Sequence, residues 1–345
     1  MPPHRLLVTG AAGFIGNAFL RHALARQDDL QAMTFDALTY AGHEENLEGL
    51  PGGERHTFRR GDVAVPGDVQ GALAEFGPTA VVHFAAETHV DRSLQDPEPF
   101  LRTNVHGTQV LLDACRTAGI RLVVVSTDEV YGDCDDDGIA CTPESALRPS
   151  NPYAATKAAG DLLALAAHRS HDQDVVITRC TNNFGPRQMP EKLIPLFALR
   201  AAAGESLPVY GDGLQQRDWI HADDHSAGVF AVLERGTSGR VYHFAGGQTH
   251  TNLEIVRRIV KAAGGSEDQI EHVADRPGHD RLYALDDSRT RDELGWAPTQ
   301  PFGPALEATV AWYLAHPGWC RAVAGEGLRT FLEANYGGRG PSNGA

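Results

Sequence analysis

Thr127, Asp128 and Glu129 bring a hydroxyl and two carboxylates to one point of the chain, directly after a run of apolar residues. They belong to the stretch RLVVVSTDEVYG at 121–132, in which residues 122–125 have no polar break. Such a run is typical of a parallel strand buried on both faces. Because the carboxyl ends of these strands form the ligand crevice of open α/β sheets, the pattern predicts proton-transfer groups at the mouth of a site. Taken alone, the same residues also fit a solvated, acidic strand end.

A tyrosine and a lysine stand four residues apart, just inside a helix that is predicted to open at Ser150-Asn151-Pro152. Residues at i and i+4 share one helix face, so Tyr153 and Lys157 are expected to be neighbours. A neighbouring ammonium favours the phenolate, and we therefore expect the lysine to lower the tyrosine pKa from its usual value of about 10. The tyrosine would then be a base for a hydroxyl proton near neutral pH. The pattern YxxxK is common by chance and gains weight only from its surroundings.

The first predicted strand, at 6–9, runs into the glycine motif GAAGFIG at 10–16 and then into a predicted helix. In this context glycines let the backbone approach a pyrophosphate, while the helix N-terminus supplies free N–H groups and a positive dipole. The spacing is GxxGxxG, not the GxGxxG of the commonest dinucleotide folds. It predicts a dinucleotide site whose contacts include Gly10, Gly13, Phe14, Ile15 and Gly16.

Asp36 follows the second predicted strand, at 31–35, and lies 20 residues after Gly16. An acidic residue at this distance can bond the ribose hydroxyls of NAD, and its charge would repel the 2′-phosphate of NADP. NAD is therefore the predicted cofactor. The alternative for Asp36 is an aspartate that merely ends a strand.

Three further places are candidates for the same cofactor site. Asp62 ends a predicted third strand, where it could contact the adenine or simply be a turn aspartate. The pair Ala85 and Ala86 follows a fourth buried strand and is small enough for backbone to pack against a cofactor. Asn104 lies inside a predicted helix at 99–118, where asparagine is a mediocre helix former, and it could hold a strand end or a water near the site.

The composition is that of an acidic globular protein of 345 residues, long enough for a large core and two lobes. The net charge of −15 argues against nucleic acid as a general partner, and no apolar run reaches the ~18 residues of a membrane span. The chain starts without the apolar segment of a signal peptide, and its five cysteines form no metal-type CxxC pair. We therefore expect a cytoplasmic protein with reduced thiols. The acidic stretch DCDDDG at 133–138 lacks the glutamate of a calcium loop and is predicted to be solvated, so no metal site is expected.

The order of these elements predicts an α/β fold: a Rossmann-type doubly wound parallel sheet with a smaller C-terminal α/β substrate-binding lobe. We assign residues 1–180 to the dinucleotide-binding domain and residues 181–345 mainly to the substrate lobe. The chain is expected to return to the large sheet around 214–240. The tail from 337 onward is polar and glycine-rich.

Read jointly, the glycine motif, the Thr127 strand end and the Tyr-Lys helix resemble the extended short-chain dehydrogenase/reductase family. Within that family the chain is similar to the dTDP-glucose 4,6-dehydratases, and the adjacent Asp128 and Glu129 are the specific part of the likeness. The matching stretches run almost end to end: GAAGFIG at 10–16, DALTYAG at 36–42, FAAETHVDRS at 84–93, STDEVYG at 126–132, NPYAATK at 151–157, RCTNNFGPRQMPEKLIP at 179–195, YGDGLQQRDWIHADDH at 210–225 and DRPGHDRLYALD at 275–286.

The resemblance implies conversion of dTDP-glucose to dTDP-4-keto-6-deoxyglucose with loss of water, on a tightly bound NAD that is recycled, in a homodimer packed through helices near 99–118 and 152–170. It implies that Tyr153, helped by Lys157, takes the C4 hydroxyl proton while Thr127 orients the C4 oxygen. Glu129 would be the base at C5, and a protonated Asp128 the acid for the departing C6 hydroxide.

The resemblance also implies a set of substrate contacts: Thr88, His89, Asn182, Lys192, Leu193, Tyr210, Arg217, Arg276 and His279. For His89 a loop-capping role is the alternative. Gln215-Gln216 and Gly246-Gly247-Gln248 depart from the family pattern, which leaves thymidine and uridine both open. The alternatives are a UDP-glucose 4,6-dehydratase, a nucleotide-sugar 4-epimerase, or a non-catalytic NAD-binding sensor.

Overall fold

The computed structural model describes residues 4–134, 140–275 and 277–324. Within them, seven parallel strands form the central sheet, in the spatial order β3-β2-β1-β4-β5-β6-β10. These strands are β1 (Arg5–Thr9), β2 (Gln31–Asp36), β3 (His56–Arg60), β4 (Ala80–His83), β5 (Arg121–Thr127), β6 (Val175–Cys180) and β10 (Val241–Phe244). The strand order reverses between β1 and β4, which creates the crevice in which ligands bind in such sheets. The predicted doubly wound α/β fold is confirmed.

Helices cover both faces of this sheet. They are α1 (Phe14–Arg26), α2 (Pro66–Phe76), α3 (Val90–Gln95), α4 (Glu98–Phe100), α5 (Thr108–Ala118), α6 (Pro152–His171) and α8 (Ala222–Arg235). Alternate residues of β1 pack into hydrophobic cores on opposite faces of the sheet. Leu6 and Val8 belong to the core that includes α1 and α8, and Leu7 belongs to the core that includes α2 and α5. Burial of these aliphatic side chains, at about 25 cal/mol per Å² of apolar surface, holds the layers together.

The smaller lobe is built from short strands and three helices. The strands are β7 (Asn182–Phe184), β8 (Leu207–Tyr210), β9 (Gln216–His221), β11 (Thr249–Thr251), β12 (Ile270–Val273) and β13 (Leu282–Tyr283), and the helices are α7 (Leu193–Ala203), α9 (Asn252–Ala263) and α11 (Phe302–Ala315). Strand β9 pairs with β7, β11 and β13, and β8 pairs with β12. The helix α10 (Ser288–Leu294) contacts β10 and α8, so the chain passes back to the large sheet after β9.

One predicted helix differs from expectation for a local reason. The single helix predicted at 99–118 is divided into three consecutive parts, which are α4, then a π-helical stretch from Leu101 to Gly107, and then α5. This stretch contains Asn104, and Gly107 packs so closely that a Cβ there would lie 2.7 Å from Val63 Cγ2. The start of α8 at Ala222 also has a local cause, because the His221 side chain accepts from the Asp223 N–H and two aspartates favour the first turn.

None of the helices in the described parts of the chain is both long and apolar enough to cross a membrane. The same residues contain no group of three or more histidine, cysteine or acidic side chains that could hold a metal ion. Most of the acidic stretch at 133–138 lies outside the described residues.

Candidate active site

Two adjoining cavities lie between the carboxyl edge of the large sheet and the smaller lobe. The larger one, about 590 Å³, is lined by the glycine motif, the loop after β2, the end of β5 and the start of α6. The smaller one, about 210 Å³, is lined by residues of α7, β8 and β9. Seven residues line both, so the cavities meet there: Thr88, Glu129, Asn182, Asn183, Gln188, Glu191 and Lys192.

The glycine motif folds into a cradle that only small residues allow. Gly10 has φ of +73°, and a Cβ on it would lie 2.5 Å from the backbone nitrogen of Ala85. A Cβ on Gly16 would lie 2.4 Å from the Gly10 carbonyl oxygen. No side chain in the described residues caps α1 at Gly13, and its first turn carries no acidic group. The N–H groups and the positive dipole end of α1 are therefore left for an anion in the larger cavity, which Gly13, Phe14, Ile15 and Gly16 line.

Asp36 is fixed in the wall of the larger cavity by two backbone donors. Its Oδ2 accepts from Ala12 N–H at 3.0 Å and its Oδ1 from Leu38 N–H at 2.9 Å. Burial raises the pKa of this carboxyl, while the two hydrogen bonds act against that shift. Each oxygen keeps a second lone pair, as a contact to ribose hydroxyls requires.

Asp62 also lines the larger cavity, but its carboxylate is already engaged. Oδ1 accepts from Ala64 N–H at 2.8 Å, which is the turn geometry of the alternative interpretation, and Arg102 Nη1 donates to Oδ2 at 2.5 Å. Ala85 and Ala86 line the same cavity. The adenine contact of Asp62 stays a prediction.

Asn104 lies behind the cavity wall. Its Oδ1 accepts from Glu87 N–H at 2.9 Å, and its Nδ2 donates to the Glu87 carbonyl and to Thr156 Oγ1, each at 3.0 Å. The residue is 1% exposed, so its amide ties the loop after β4 to α6. The prediction that it holds a strand end matches this position. Asn104 is not among the residues that line the larger cavity, and its role as a cofactor contact stays a prediction.

The Thr127 hydroxyl takes part in several hydrogen bonds at the end of β5. Its hydroxyl donates to Asp128 Oδ1 at 3.1 Å and accepts from Glu129 N–H at 3.3 Å. The same hydroxyl is hydrogen-bonded to the Tyr153 side chain. The strand end from β5 and the first turn of α6 are thus brought into contact by one oxygen.

Asp128 and Glu129 are adjacent in sequence but sit in different surroundings. Asp128 is 3% exposed, and its Oδ2 has no hydrogen-bond partner among the described residues. Burial and the neighbouring Glu129 charge raise the Asp128 pKa well above its ordinary value. Glu129 is half-buried at the meeting of the two cavities, and Asn151 Nδ2 donates to its Oε2 at 3.4 Å. A carboxyl with a raised pKa therefore stands beside a more accessible one, as acid and base catalysis require.

The expectation that Lys157 lowers the Tyr153 pKa is wrong for this arrangement. Burial, followed by the charge of Glu129, raises the pKa of Tyr153 well above its ordinary value, and only the Thr127 hydrogen bond among its main contacts lowers it. Lys157 instead donates from Nζ to the Val125 carbonyl at 2.8 Å, and burial lowers its own pKa. Sequence spacing identified the pair as neighbours on α6, but it could not weigh desolvation and two nearby carboxylates against one ammonium.

The predicted substrate residues divide between the cavities. Thr88, Asn182 and Lys192 line both, whereas the smaller cavity alone is lined by His89, Leu193, Tyr210, Arg217 and His279. Their roles as substrate contacts stay predictions. Arg276 lies outside the described residues.

Arg217 is held rigidly on β9. Its Nη1 donates to the Gln216 carbonyl at 2.7 Å, its Nη2 donates to the Asp280 carbonyl at 2.8 Å, and its guanidinium carbon lies 4.1 Å from the Tyr283 ring centre. Burial to 4% exposure removes competing water, which strengthens its field in the smaller cavity. A planar cation of this kind suits phosphate oxygens.

Sequence reasoning missed Glu191, which lies where the cavities meet. It is 4% exposed and receives a hydrogen bond from Arg92 Nη2 at 3.2 Å, while the Arg92 guanidinium covers the Tyr40 ring at 4.3 Å. Because Arg92 and Glu191 are 99 positions apart, no local pattern predicts their contact. The sequence signal that could have identified Glu191 as a site residue is its position next to Lys192, a predicted substrate contact, in MPEKLIP.

A family model described as GDP-mannose 4,6 dehydratase matches residues 7–309. The dTDP-glucose 4,6-dehydratase of Streptomyces griseus is 51% identical over 317 residues, covering 91% of this chain and 95% of that protein. The low-salt glycan biosynthesis protein Agl12 of Haloferax volcanii is 50% identical and covers 90% of this chain and 98% of its own length.

Solved structures give the same relationship. The dTDP-glucose 4,6-dehydratase DesIV of Streptomyces venezuelae, crystallised with NAD and dTDP, is 46% identical, with a TM-score of 0.89 over 92% of this chain and 99% of that one. A UDP-glucose 4-epimerase of Thermus thermophilus in complex with NAD is 31% identical, with a TM-score of 0.82 over 90% and 99% of the two chains. The resemblance to extended short-chain dehydrogenases/reductases is confirmed, and the chain, which has dTDP-glucose 4,6-dehydratases among its relatives, belongs to the GDP-mannose 4,6 dehydratase family.

Proposed function

We propose that the chain is an NAD-dependent dTDP-glucose 4,6-dehydratase, which converts dTDP-glucose to dTDP-4-keto-6-deoxyglucose and water. The observation that carries the proposal is the carboxyl pair Asp128 and Glu129, placed where a dinucleotide-sized cavity meets a second cavity that holds a buried arginine. Oxidation at C4 alone needs Thr127, Tyr153 and Lys157. Elimination of water additionally needs one acid and one base within reach of neighbouring carbons, and this pair supplies both.

The larger cavity fits NAD by its own features. The space at Gly10 and Gly16 would be filled by any Cβ, the α1 N-terminus has N–H groups available to an anion, and Asp36 presents a fixed carboxylate for a ribose. When bound, NAD⁺ supplies the hydride acceptor for C4 and the hydride source for C6. Since it is regenerated in each cycle, a cofactor held by this closed cradle has no need to leave.

The first step assigned to the protein is removal of the C4 hydroxyl proton by Tyr153, with the Thr127 hydroxyl bonding the C4 oxygen. Because the pKa of Tyr153 is raised, the phenolate that accepts this proton forms only after the Tyr153 hydroxyl has released its own proton to solvent. A protonated Asp128 lessens the negative charge that opposes the phenolate, so the acid needed later also assists this base. Lys157, anchored on the Val125 carbonyl, adds a fixed positive charge on the same helix face.

In the second step the two carboxyls have different roles, one as a base and the other as an acid. A ketone at C4 makes the C5 hydrogen acidic, and Glu129 takes that proton. Asp128 gives its proton to the C6 hydroxyl, so the C6–O bond breaks with its electron pair on oxygen and water leaves. Glu129 returns a proton to C5 when C6 is reduced, and Asp128 regains its own proton from solvent.

The discriminating experiment is an assay of dTDP-glucose beside UDP-glucose, with both products characterised by mass spectrometry and NMR. The proposal expects a product that lacks the C6 hydroxyl and turnover that favours dTDP-glucose. A product that is inverted at C4 and retains its C6 hydroxyl would identify a 4-epimerase. Turnover that favours UDP-glucose would change the substrate and leave the chemistry in place, and no turnover of either sugar would leave an NAD-binding sensor.

We also propose that the protein works as a homodimer in the cytoplasm, and three exposed leucines support the assembly. Leu162 on α6 is 56% exposed, Leu101 beside α4 is 48% exposed and Leu94 on α3 is 41% exposed. Two of them lie on the helices near 99–118 and 152–170 that the family uses for dimerisation. Leu162→Glu should shift the protein to monomer in sedimentation velocity, while Leu314→Glu, on α11, should leave the dimer intact. Equal sedimentation of both variants as dimers would exclude this interface.

A further inference from the structure

Two of the five cysteines lie side by side near the active site. Cys134 Sγ and Cys141 Sγ are 2.8 Å apart, less than one ångström beyond the ~2.05 Å of a disulfide bond. Cys115, Cys180 and Cys320 are the remaining free cysteines. Nothing in the dehydration chemistry uses the Cys134–Cys141 pair, which lies five and twelve residues after Glu129.

Backbone hydrogen bonds bring the two cysteines together. Cys134 N–H donates to the Leu282 carbonyl at 3.0 Å, and Cys141 N–H donates to the Ala284 carbonyl at 2.9 Å. The Cys141 carbonyl in turn accepts from Asp286 N–H at 2.9 Å. Both residues are therefore fastened to one segment, 282–286, and the sulfur contact follows from backbone pairing rather than from a chance rotamer.

The segment just before this anchor holds Arg217, which lines the smaller cavity. Its Asp280 carbonyl accepts from Arg217 Nη2, and its Arg281 carbonyl accepts from Gln216 N–H at 2.8 Å. Asp133, next to Cys134, accepts from Arg281 N–H at 2.7 Å. A covalent bond between the cysteines would thus fasten both of them beside the residues that hold the Arg217 guanidinium.

The pair also differs from the other cysteines in reactivity. The hydrogen bond from Cys141 lowers the pKa of Cys134, which favours the thiolate form of Cys134. Burial raises the pKa of Cys115 to about 12 and raises the pKa values of Cys180 and Cys320 as well. Cys141 is half-buried, so the pair is reached from solvent by a small oxidant.

We propose that Cys134 and Cys141 form a redox modification site, at which a hydroperoxide produces a reversible disulfide that locks the segment 282–286 in place. The Cys134 thiolate attacks one peroxide oxygen, and the O–O bond breaks. Cys134 becomes a sulfenic acid, and hydroxide is the leaving group. The Cys141 sulfur then displaces the sulfenic oxygen as water while losing its proton. In sum, two thiols and one H₂O₂ give one disulfide and two waters, and a dithiol reverses the reaction.

The first test uses the full-length protein with its cofactor, treated with a stoichiometric amount of H₂O₂, denatured and alkylated. The expected result is three alkylated thiols in place of five, an intact mass lower by two hydrogens, and a proteolytic fragment linking Cys134 to Cys141. Dithiothreitol should restore all five thiols. An unchanged thiol count, or a link that includes any other cysteine, overturns the proposal.

Matched variants sharpen the result. Cys141→Ser should lose the link and leave Cys134 as a sulfenic or sulfinic acid, with added oxygen in the intact mass. Cys320→Ser, the control, should form the link as the parent does. If Cys141→Ser still loses two hydrogens on oxidation, the assigned pair is wrong.

A second readout is thermal unfolding, which does not depend on the substrate. Closing the eight-residue loop from 134 to 141 restricts the unfolded chain, so the oxidised protein should melt several degrees above the reduced protein. Cys141→Ser should show no such rise on oxidation. An oxidised parent that melts at or below the temperature of the reduced one contradicts the proposed locking of this segment.

Discussion

The two walls of the crevice are built in opposite ways. The catalytic wall comes from the end of β5, the helical turn that follows it and the start of α6. Its side chains lie within 31 positions of one another: Thr127, Asp128, Glu129, Tyr153 and Lys157. The substrate wall draws on separate short segments: the loop after β4, β7, the start of α7, β8, β9 and the loop before β13. The residues for the reaction are therefore close together in the sequence, whereas the residues for substrate binding come from distant parts of the chain. Damage to the first should lower kcat, and damage to the second should raise KM.

The largest effect is expected for Tyr153→Phe. Removing a proton acceptor from the catalytic wall should lower kcat by about 10²–10⁴-fold and change KM little, as steady-state kinetics with dTDP-glucose can measure. Tyr242→Phe is a matched control, because that hydroxyl donates to Glu293 in the sheet core, away from the cavities. A Tyr153 variant that kept more than a tenth of parental kcat would remove the base from this wall.

The two carboxyls should fail in different ways. Asp128→Asn should lower kcat by about 10²–10³-fold and stall at water loss, so that reduced nicotinamide absorbance builds up on the enzyme while the C6 hydroxyl remains. Glu129→Gln should show the same absorbance but no exchange of the C5 hydrogen with deuterated solvent. Normal turnover by either variant would show that the division of acid and base is wrong.

A smaller effect, on KM instead of kcat, is expected for Arg217→Lys. Loss of planar, charge-assisted hydrogen bonds at one site should raise KM by about 10–100-fold with kcat nearly unchanged. Arg121→Lys is the control, since that arginine pairs with Asp174 at the opposite end of β5. If the Arg217 variant lost kcat instead of KM, the two walls would not be separable.

The smallest effect is one of stability. Because the folded-state pKa of Asp128 is raised, this carboxyl favours the folded state below its unfolded pKa of about 4 and loses that contribution as pH rises through the folded value. At pH 7 Asp128→Asn should therefore melt a few degrees above the parent, and the gap should shrink below about pH 4.

Asp212→Asn is the opposite case for the same measurement. Hydrogen bonding from Leu214 N–H lowers the Asp212 pKa, so its carboxylate should stabilise the fold above its ordinary pKa and lose that effect as pH falls. The two pH profiles should slope in opposite directions. An Asp128 variant less stable than the parent at pH 7 would mean that Asp128 is not held under a desolvation penalty.

The sequence predicted what is local and missed what is assembled. The glycine turn, the apolar run of β5 and the four-residue spacing of Tyr153 and Lys157 are short-range patterns, and each lies where expected. The direction of the Tyr153 shift failed because burial and carboxylates from another element control it. The contact of Cys134 with Cys141 could not be read either, since it depends on pairing with residues about 150 positions away.

The central claim is that hydride leaves C4, water leaves C5 and C6, and the same hydride returns to C6. The most direct measurement is turnover of dTDP-glucose deuterated at C4 in ordinary water, with the product examined by NMR. The account predicts that deuterium appears in the C6 methyl group of a 4-keto sugar and that C5 takes its hydrogen from solvent. Deuterium found in bulk water, or a product that keeps its C6 hydroxyl, would contradict it.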